Sequence, residues 1–375
     1  MIYLDHNATT RPDPAVVDAL SWASGQAWGN PSTLYRAGRE AKALLDAARA
    51  RVARLIGATD PAQVVFTSGG TEADALALWG VLRQTGQARR HLVTTMGEHK
   101  AVLRSCARLE AEGFAVTYLP VDGAGRVDPQ AVRRALRPDT ALISVMLANN
   151  EVGTVNPVAE VAAICRARGV LVHTDAVQAC GKIPVGVGAL GVDLLSLSGH
   201  KLYGPRGIGA LWVRPGTLLQ PLLVGGTQER GLRAGTEPVP LAHALGVAAE
   251  LALTRLEADG TRIRALRDRL WEGLRQAVPG ARAHGDREGG LPNTLNVSIP
   301  GREAEALVLA LDDAGVAVGT GSACTTGDTR PSHVLLAMGV PPAEARTSIR
   351  FSLGRENTSA EVEAVIEVMA KIVGA

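Results

Sequence analysis

The 375-residue sequence predicts an α/β fold, and three observations predict it. Short β-branched apolar runs alternate with amphipathic helical stretches from residue 64 onward. The apolar runs stop at Gly, Ser or Asp, the residues that end strands and open turns. Near residue 239 the pattern changes to long helices followed by a shorter strand–helix unit. The expectation is therefore a large domain on a mostly parallel seven-stranded sheet, with a smaller C-terminal α+β domain.

Taken in order, "VVFTSG" (64–69) reads as a strand and "TEADALALWGVLRQ" as the helix that follows it. "HLVTT" is a strand, "KAVLRSCARLEAEG" a helix stopped by glycine, and "AVTYLPV" a strand. "PQAVRRAL" is helix, "TALISVMLA" strand, "VAEVAAICRARG" helix and "VLVHTDA" strand. After "GALWVRPG", residues 239–279 read as two long helices interrupted near Asp259-Gly260. The closing unit is strand "TLNVSI", helix "EAEALVLALDDAG", a loop holding Cys324, strand "SIRFSLG" and a helix from Ser359. The boundary is set at 255: residues 15–255 form the large domain, and 256–375 with the segment 1–14 form the small one.

Composition excludes several classes. With 46% hydrophobic and 20% charged residues the chain is that of a soluble globular protein. A net charge of +2 is too near neutral to drive nucleic-acid binding by bulk electrostatics. "MIYLDHNATT" lacks the basic leader and apolar core of a secretory signal, and no uninterrupted apolar stretch reaches bilayer length. A cytoplasmic protein with no membrane contact is the expectation. The four cysteines, Cys106, Cys165, Cys180 and Cys324, form no C-x-x-C pair, so no metal site is expected.

Three constellations carry chemistry. In "TSGGTEADAL" (67–76) a strand runs through Ser-Gly-Gly-Thr straight into a helix. Free N–H groups at a helix start, with the Thr71 hydroxyl, suit an anion such as phosphate, although a plain glycine turn capped by Thr71 has the same pattern. In "HTDAVQACG" (173–181) Asp175 ends an apolar strand, where ligands of open α/β sheets bind, with Gln178 three residues on. In "SLSGHKLYGPRG" (196–207) Lys201 projects from a glycine-rich turn after another apolar strand, in a chain with five lysines against 34 arginines. An amine that must form a Schiff base needs to be neutral, which a partly desolvated pocket favours. Pyridoxal phosphate sites combine such a lysine with an Asp at the ring nitrogen and a helix N-terminus at the phosphate.

These residues, together with "YLDHNATT", "GNPST", "FTSGGTEAD", "EHKAV", "NNEVGT", "ERGLRAGT", "GSACT" and "SIRFSLGR", resemble the cysteine desulfurases. That family lies in the class V aminotransferase group of fold type I pyridoxal-phosphate enzymes, and the resemblance covers nearly the whole chain. It implies conversion of L-cysteine to L-alanine with transfer of sulfur. Lys201 would bond the cofactor and move the substrate's α-proton. Asp175 would keep the pyridine nitrogen protonated, Gln178 would reach the phenolic oxygen, and His99 would stack on the ring and serve as a proton carrier. Gly70, Thr71, Ser198 and His200 would hold the phosphate. Thr236 would reach the cofactor phosphate of a second subunit, implying a homodimer. Asn150 would lie beside cofactor and substrate, and Arg350 would take the substrate carboxylate.

Cys324 stands in "VAVGTGSACTTGDTRPSHVL", a run of small and polar residues with little packing material. By the resemblance it is the thiolate that takes the sulfur as a persulfide and hands it to an acceptor protein, an iron–sulfur scaffold or a transfer-RNA thiolation enzyme. Cys106, Cys165 and Cys180 are read as packing residues, and Arg355 as structural. A selenocysteine lyase or a true aminotransferase of the same fold is the alternative.

Overall fold

The structure, a computed structural model, describes residues 1–85, 88–320 and 330–374. The chain opens with β1 (Ile2–Tyr3), α1 (Pro14–Gln26) and α2 (Arg36–Leu55). An alternating stretch follows: β2 (Val64–Thr67), α3 (Gly70–Thr85), β3 (His91–Thr95), α4 (Lys100–Ala111), β4 (Ala115–Leu119) and α5 (Pro129–Ala135). It continues through β5 (Thr140–Ser144), α6 (Val158–Arg166), β6 (Leu171–Asp175), α7 (Val187–Leu190), β7 (Leu194–Ser198) and β8 (Gly209–Val213). Helix α8 (Val239–Ala277) leads to β9 (Arg282–His284), β10 (Thr294–Ser298) and α9 (Ala304–Asp313). The last elements are β11 (Val316–Ala317), β12 (Gly319–Thr320), α10 (His333–Ala337), α11 (Pro342–Ala345), β13 (Ser348–Ser352) and α12 (Ser359–Gly374).

Strands β2 to β8 form a seven-stranded sheet in the order β2-β8-β7-β6-β5-β3-β4. The pairs from β4 to β7 are parallel, and only β8 runs against its neighbours. This is the mostly parallel sheet the alternation predicts. Its β5, β6 and β7 runs are buried throughout or nearly so, as strands covered by helices on both faces must be. The parallel strands present their carboxyl ends at one edge, which puts Thr95, Ser144, Asp175 and Ser198 together.

A four-stranded antiparallel sheet, β12-β13-β10-β9, anchors the C-terminal part. Arg350 sits mid-strand on β13, opposite Asn296 on one side and Gly319 on the other. The N-terminal segment belongs to this region: Ile2 and Tyr3 pair parallel with Val316 and Ala317, and Asp5 bridges to Ser352.

Two apolar cores meet along α8. Val239, Leu245 and Ala252 pack with the sheet, α1 and α2, whereas Ile263, Leu270 and Leu274 pack with Phe351, Val297 and Val365. The expected break at Asp259-Gly260 does not occur, and α8 is one continuous helix of 39 residues. Gly260 costs about 1 kcal/mol against alanine in a helix. Ion pairing of Asp259 with Arg355 Nε at 2.7 Å, and donation from Arg262 to the Arg355 and Asn357 carbonyls, hold the turn in place. By length and composition α8 could cross a membrane, but it is the shared core helix of both halves. Helices α1 and α2 were not legible in the sequence; α2 buries a stripe of Ala41, Leu45, Ala48 and Val52 against α8.

Candidate active site

A cavity of about 320 Å³ opens at the carboxyl edge of the large sheet, lined among others by Asn7, His99, Asn150, Asp175, Gln178, Lys201 and Arg350. A more open recess of about 420 Å³ adjoins it, lined by Ser68, Gly69, Glu72 and Arg206. Gly70, Thr71, Ser198 and His200 line both. The sequence-predicted residues therefore converge, except Thr236 and Cys324. Thr236 is exposed and lies outside both linings, and Cys324 lies at 321–329, outside the described residues.

At the open end, β2 passes through Ser68-Gly69 directly into α3. Thr71 is not the cap of this helix. Glu72 Oε2 accepts the Ser68 N–H at 2.8 Å, which leaves the Thr71 side chain in the recess. A Cβ on Gly70 would come within 2.7 Å of Val177 Cγ2, so only glycine lets the helix start close over the β6 turn.

Lys201 ends a single 3-10 turn after β7. A Cβ at Gly199 would meet the Pro205 carbonyl oxygen at 2.8 Å, and Tyr203 takes a left-handed φ of 62°. That tight, strained turn delivers the lysine across the cavity. Its Nζ donates to the Asn7 and Ala8 carbonyls at 2.5 and 2.7 Å. Asn7 O also accepts from Gln178 Nε2 at 3.0 Å. His200 holds the N-terminal segment down, its carbonyl accepting from the Thr10 N–H at 2.9 Å and its Nδ1 lying 3.1 Å from Thr9 Oγ1.

No helix follows Asp175; its Oδ1 accepts the Val177 N–H at 2.8 Å in a local turn. Burial pushes this carboxyl up to about 6, opposed by that N–H and by the Lys201 charge. His99 is the N-cap of α4, its Nδ1 accepting the Ala101 N–H at 3.1 Å. That bond assigns the ring proton to Nε2, and burial, with Lys201, His333 and Lys100 nearby, drives the imidazole down to about 4. His99 is thus both a helix cap and a neutral ring facing the cavity.

Arg350 is 3% exposed and does not face solvent. Its Nη1 donates to the Asn150 carbonyl at 3.0 Å and its Nη2 to Asp5 Oδ1 at 2.6 Å, while Nε is buried without a hydrogen-bond partner among the described residues. An orphaned guanidinium donor at a cavity wall suits a carboxylate ligand. Arg355, by contrast, is structural: it pairs with Asp259 and stacks over Tyr203 at 4.2 Å. Cys106, Cys165 and Cys180 are buried, and burial pushes Cys165 and Cys180 up to about 12 and Cys106 higher still. They are packing residues.

Three residues of the site escaped the sequence reading. Asn7 stands inside "YLDHNATT" and contributes its carbonyl to Lys201 and its side chain to Lys182, Thr294 and Asn293. Lys182 donates to Asn7 Oδ1 at 3.0 Å and to Gln178 Oε1, fixing the amide of the latter. The scarcity of lysine that singled out Lys201 applied to Lys182 as well. Asp74, on α3, lines the cavity, its Oδ1 without a hydrogen-bond partner among the described residues.

The donor set fits pyridoxal phosphate. A helix start and three short polar side chains lie at the open end, a buried carboxyl at the far end, and a lysine amine between them. Arg350 Nε, without a hydrogen-bond partner among the described residues, marks polar surface at the cavity that a ligand would satisfy.

Known proteins agree. The aminotransferase class-V family model matches residues 2–365. A cysteine desulfurase of Gluconacetobacter diazotrophicus is 50% identical over 373 residues, covering 99% of this chain and 93% of the relative. A solved NifS-like protein superposes with a TM-score of 0.94 at 38% identity, covering 100% of this chain and 99% of the other. A solved structure described as SspA in complex with cysteine gives a TM-score of 0.83 at 35% identity, covering 94% and 99%. Matched over nearly its full length by the family model and by these relatives, the chain belongs to the class-V aminotransferases, among the pyridoxal-phosphate-dependent cysteine desulfurases.

Proposed function

We propose that this protein takes L-cysteine, releases L-alanine and carries the sulfur as a persulfide on Cys324. One observation carries the reading: Lys201, Asp175, His99 and Arg350 face a single cavity, and described residues flanking the stretch that holds Cys324 neighbour residues of its lining. On one side Gly319 pairs with Arg350; on the other Arg330 lines a groove shared with Thr71 and His99. The solved SspA complex with cysteine supports the substrate.

When bound, pyridoxal phosphate supplies an electron sink for the substrate's α-carbon. In this reading Gly70, Thr71, Ser198 and His200 hold its phosphate, Asp175 its ring nitrogen and Gln178 its phenolic oxygen, with His99 on the ring face and Lys201 as the covalent anchor. Arg350, already braced by Asp5 and the Asn150 carbonyl, takes the substrate carboxylate, and Asn150 lies alongside. Lys201, once released, moves the α-proton. The Cys324 thiolate attacks the substrate's sulfur; the carbon–sulfur bond breaks and its electron pair stays on the β-carbon. Protonation of that carbon gives the alanine methyl group, with His99 as a proton carrier.

The rest of the reading is coarser. Thr236 is exposed in a segment whose Ala234 N–H reaches the Leu223 carbonyl at 3.3 Å, beside the exposed Leu223 and Val224. An apolar patch there supports a homodimer in which Thr236 meets the second subunit's cofactor phosphate. A cytoplasmic location, an iron–sulfur scaffold or transfer-RNA thiolation enzyme as acceptor, and two domains divided near residue 255 complete it.

The test is product analysis. L-cysteine with a thiol reductant should yield alanine and sulfide in equal amounts without a keto acid, and Cys324→Ser should retain the cofactor but form no persulfide. Dependence on a keto acid, or undiminished sulfide release by the serine variant, would contradict the reading.

A further inference from the structure

We propose that Asp74 is a positioning residue that stays protonated beside Asp175, so that the negative charge of this buried carboxyl pair is held on Asp175 at the end of β6. The inference rests on the functional reading above and deepens it, because that charge would face the cofactor's ring nitrogen.

Asp74 lies one turn into α3, and its side chain reaches His173 and Asp175 on β6 and Ser196 on β7. It is 1% exposed and Asp175 is 4% exposed. One oxygen from each carboxyl and one ring nitrogen of His99 lie within 4.8 Å of one another. Two carboxylates so close and so dry repel, and one of them keeps its proton.

The surroundings decide which one. Asp175 has the Val177 N–H at 2.8 Å and the Lys201 charge. Among the described residues Asp74 Oδ1 has no hydrogen-bond partner, and the side-chain bond that favours its ionised form comes from the neutral Ser196 hydroxyl. The imidazole facing it from β6, His173, lies 3.6 Å away at Nε2. Both of its nitrogens are already engaged, with Ser144 Oγ at 2.8 Å and Ser196 Oγ at 2.9 Å, and burial drives it down to about 3. The other titratable groups facing this pocket bring Asp74 no cation. Glu98, after β3, is an acid that burial pushes up to about 8. Cys106, on the neighbouring α4, is pushed up as well, and His99 is neutral. Burial and the Asp175 and Glu98 charges push Asp74 well above the usual carboxylate range against the Ser196 hydrogen bond.

The test is infrared spectroscopy of the purified holoenzyme carrying ¹³C in its aspartate carboxyls. A carbonyl band of a protonated carboxylic acid should be present at pH 7 and should shift with the label, which separates it from Glu98. It should vanish in Asp74→Asn, whose folded state is checked by its melting transition. No aspartate-derived band in the wild type, or a band that survives Asp74→Asn, overturns the proposal. Should Asp74→Asn fail to fold, Asp74→Ser replaces it under the same criterion, and the wild-type spectrum still decides against the proposal if the band is absent. A covalent cofactor adduct at Lys201 with no such band refutes the role of Asp74 alone. A band without any adduct removes the functional reading, and with it the role of the pair.

Discussion

The Asn7 carbonyl accepts from Lys201 Nζ at 2.5 Å across 194 positions of sequence, and from Gln178 Nε2 at 3.0 Å. The N-terminal segment is therefore a wall of the active site. Asn7 is kept there by its side chain, which donates to Thr294 Oγ1 at 2.8 Å and the Asn150 carbonyl at 3.1 Å and accepts from Lys182 and Asn293. Asn7→Ala strands several of these buried groups, at about 1–3 kcal/mol for each one left unsatisfied. We expect a lower melting temperature and reduced cofactor content; a wild-type value for both would show that the segment does not hold the site.

Arg350 is braced by Asp5, and its Nε has no partner among the described residues. Arg350→Lys loses the planar fork and should lower kcat/KM for L-cysteine by about 10- to 100-fold, mostly through KM. Steady-state kinetics check this. An unchanged KM would remove Arg350 from carboxylate binding.

Glu98 is fully buried beside the site, its Oε1 taking the Met146 N–H at 2.8 Å and the Thr95 hydroxyl at 3.0 Å, and burial pushes it up to about 8. A carboxyl raised in the fold binds its proton more tightly than in the unfolded chain. Its contribution to stability is fully present below the unfolded value, near 4.5, and is lost as pH rises through about 8, at about 1.4 kcal/mol per pH unit. Glu98→Gln cannot titrate, so its melting temperature relative to wild type should climb between pH 5 and 8 and level off above. A difference independent of pH would contradict the shift.

Arg49 and Glu229 form a buried bidentate pair, at 2.6 and 2.7 Å, and Glu229 also accepts the Phe66 N–H at 3.0 Å. This pair ties the "ERGLRAGT" segment to the base of β2. Removing one partner leaves the other charge buried, at about 3–5 kcal/mol. Glu229→Ala should therefore unfold at clearly lower denaturant concentration, and a midpoint equal to wild type would show that the pair is dispensable.

How much of this was legible in the sequence follows from the range of each interaction. Asp175 and Lys201 could be read because a strand period ending at a polar residue is a local pattern, and parallel sheets bring such ends to one edge. Asn7, Lys182 and Asp74 could not, because their importance comes from contacts across the fold: Asn7 with the turn after β7, Asp74 with His173 and Asp175 on β6. The same holds for α8. Glycine at 260 is locally a break, and the ion pair that overrides it comes from Arg355, 96 positions away. Arg350 reads as a carboxylate ligand through the family resemblance, whereas its brace by the Asn150 carbonyl, 200 positions away, lies beyond any local pattern.

The central claim is that the amine of Lys201, and no other, bonds the cofactor. Lys182, half-buried against Gln178, is the neighbouring lysine that could be mistaken for it. Borohydride reduction of the purified protein followed by peptide mapping decides between them. The account predicts a pyridoxyl group on the peptide containing Lys201; its appearance on Lys182, or on no lysine at all, would contradict it.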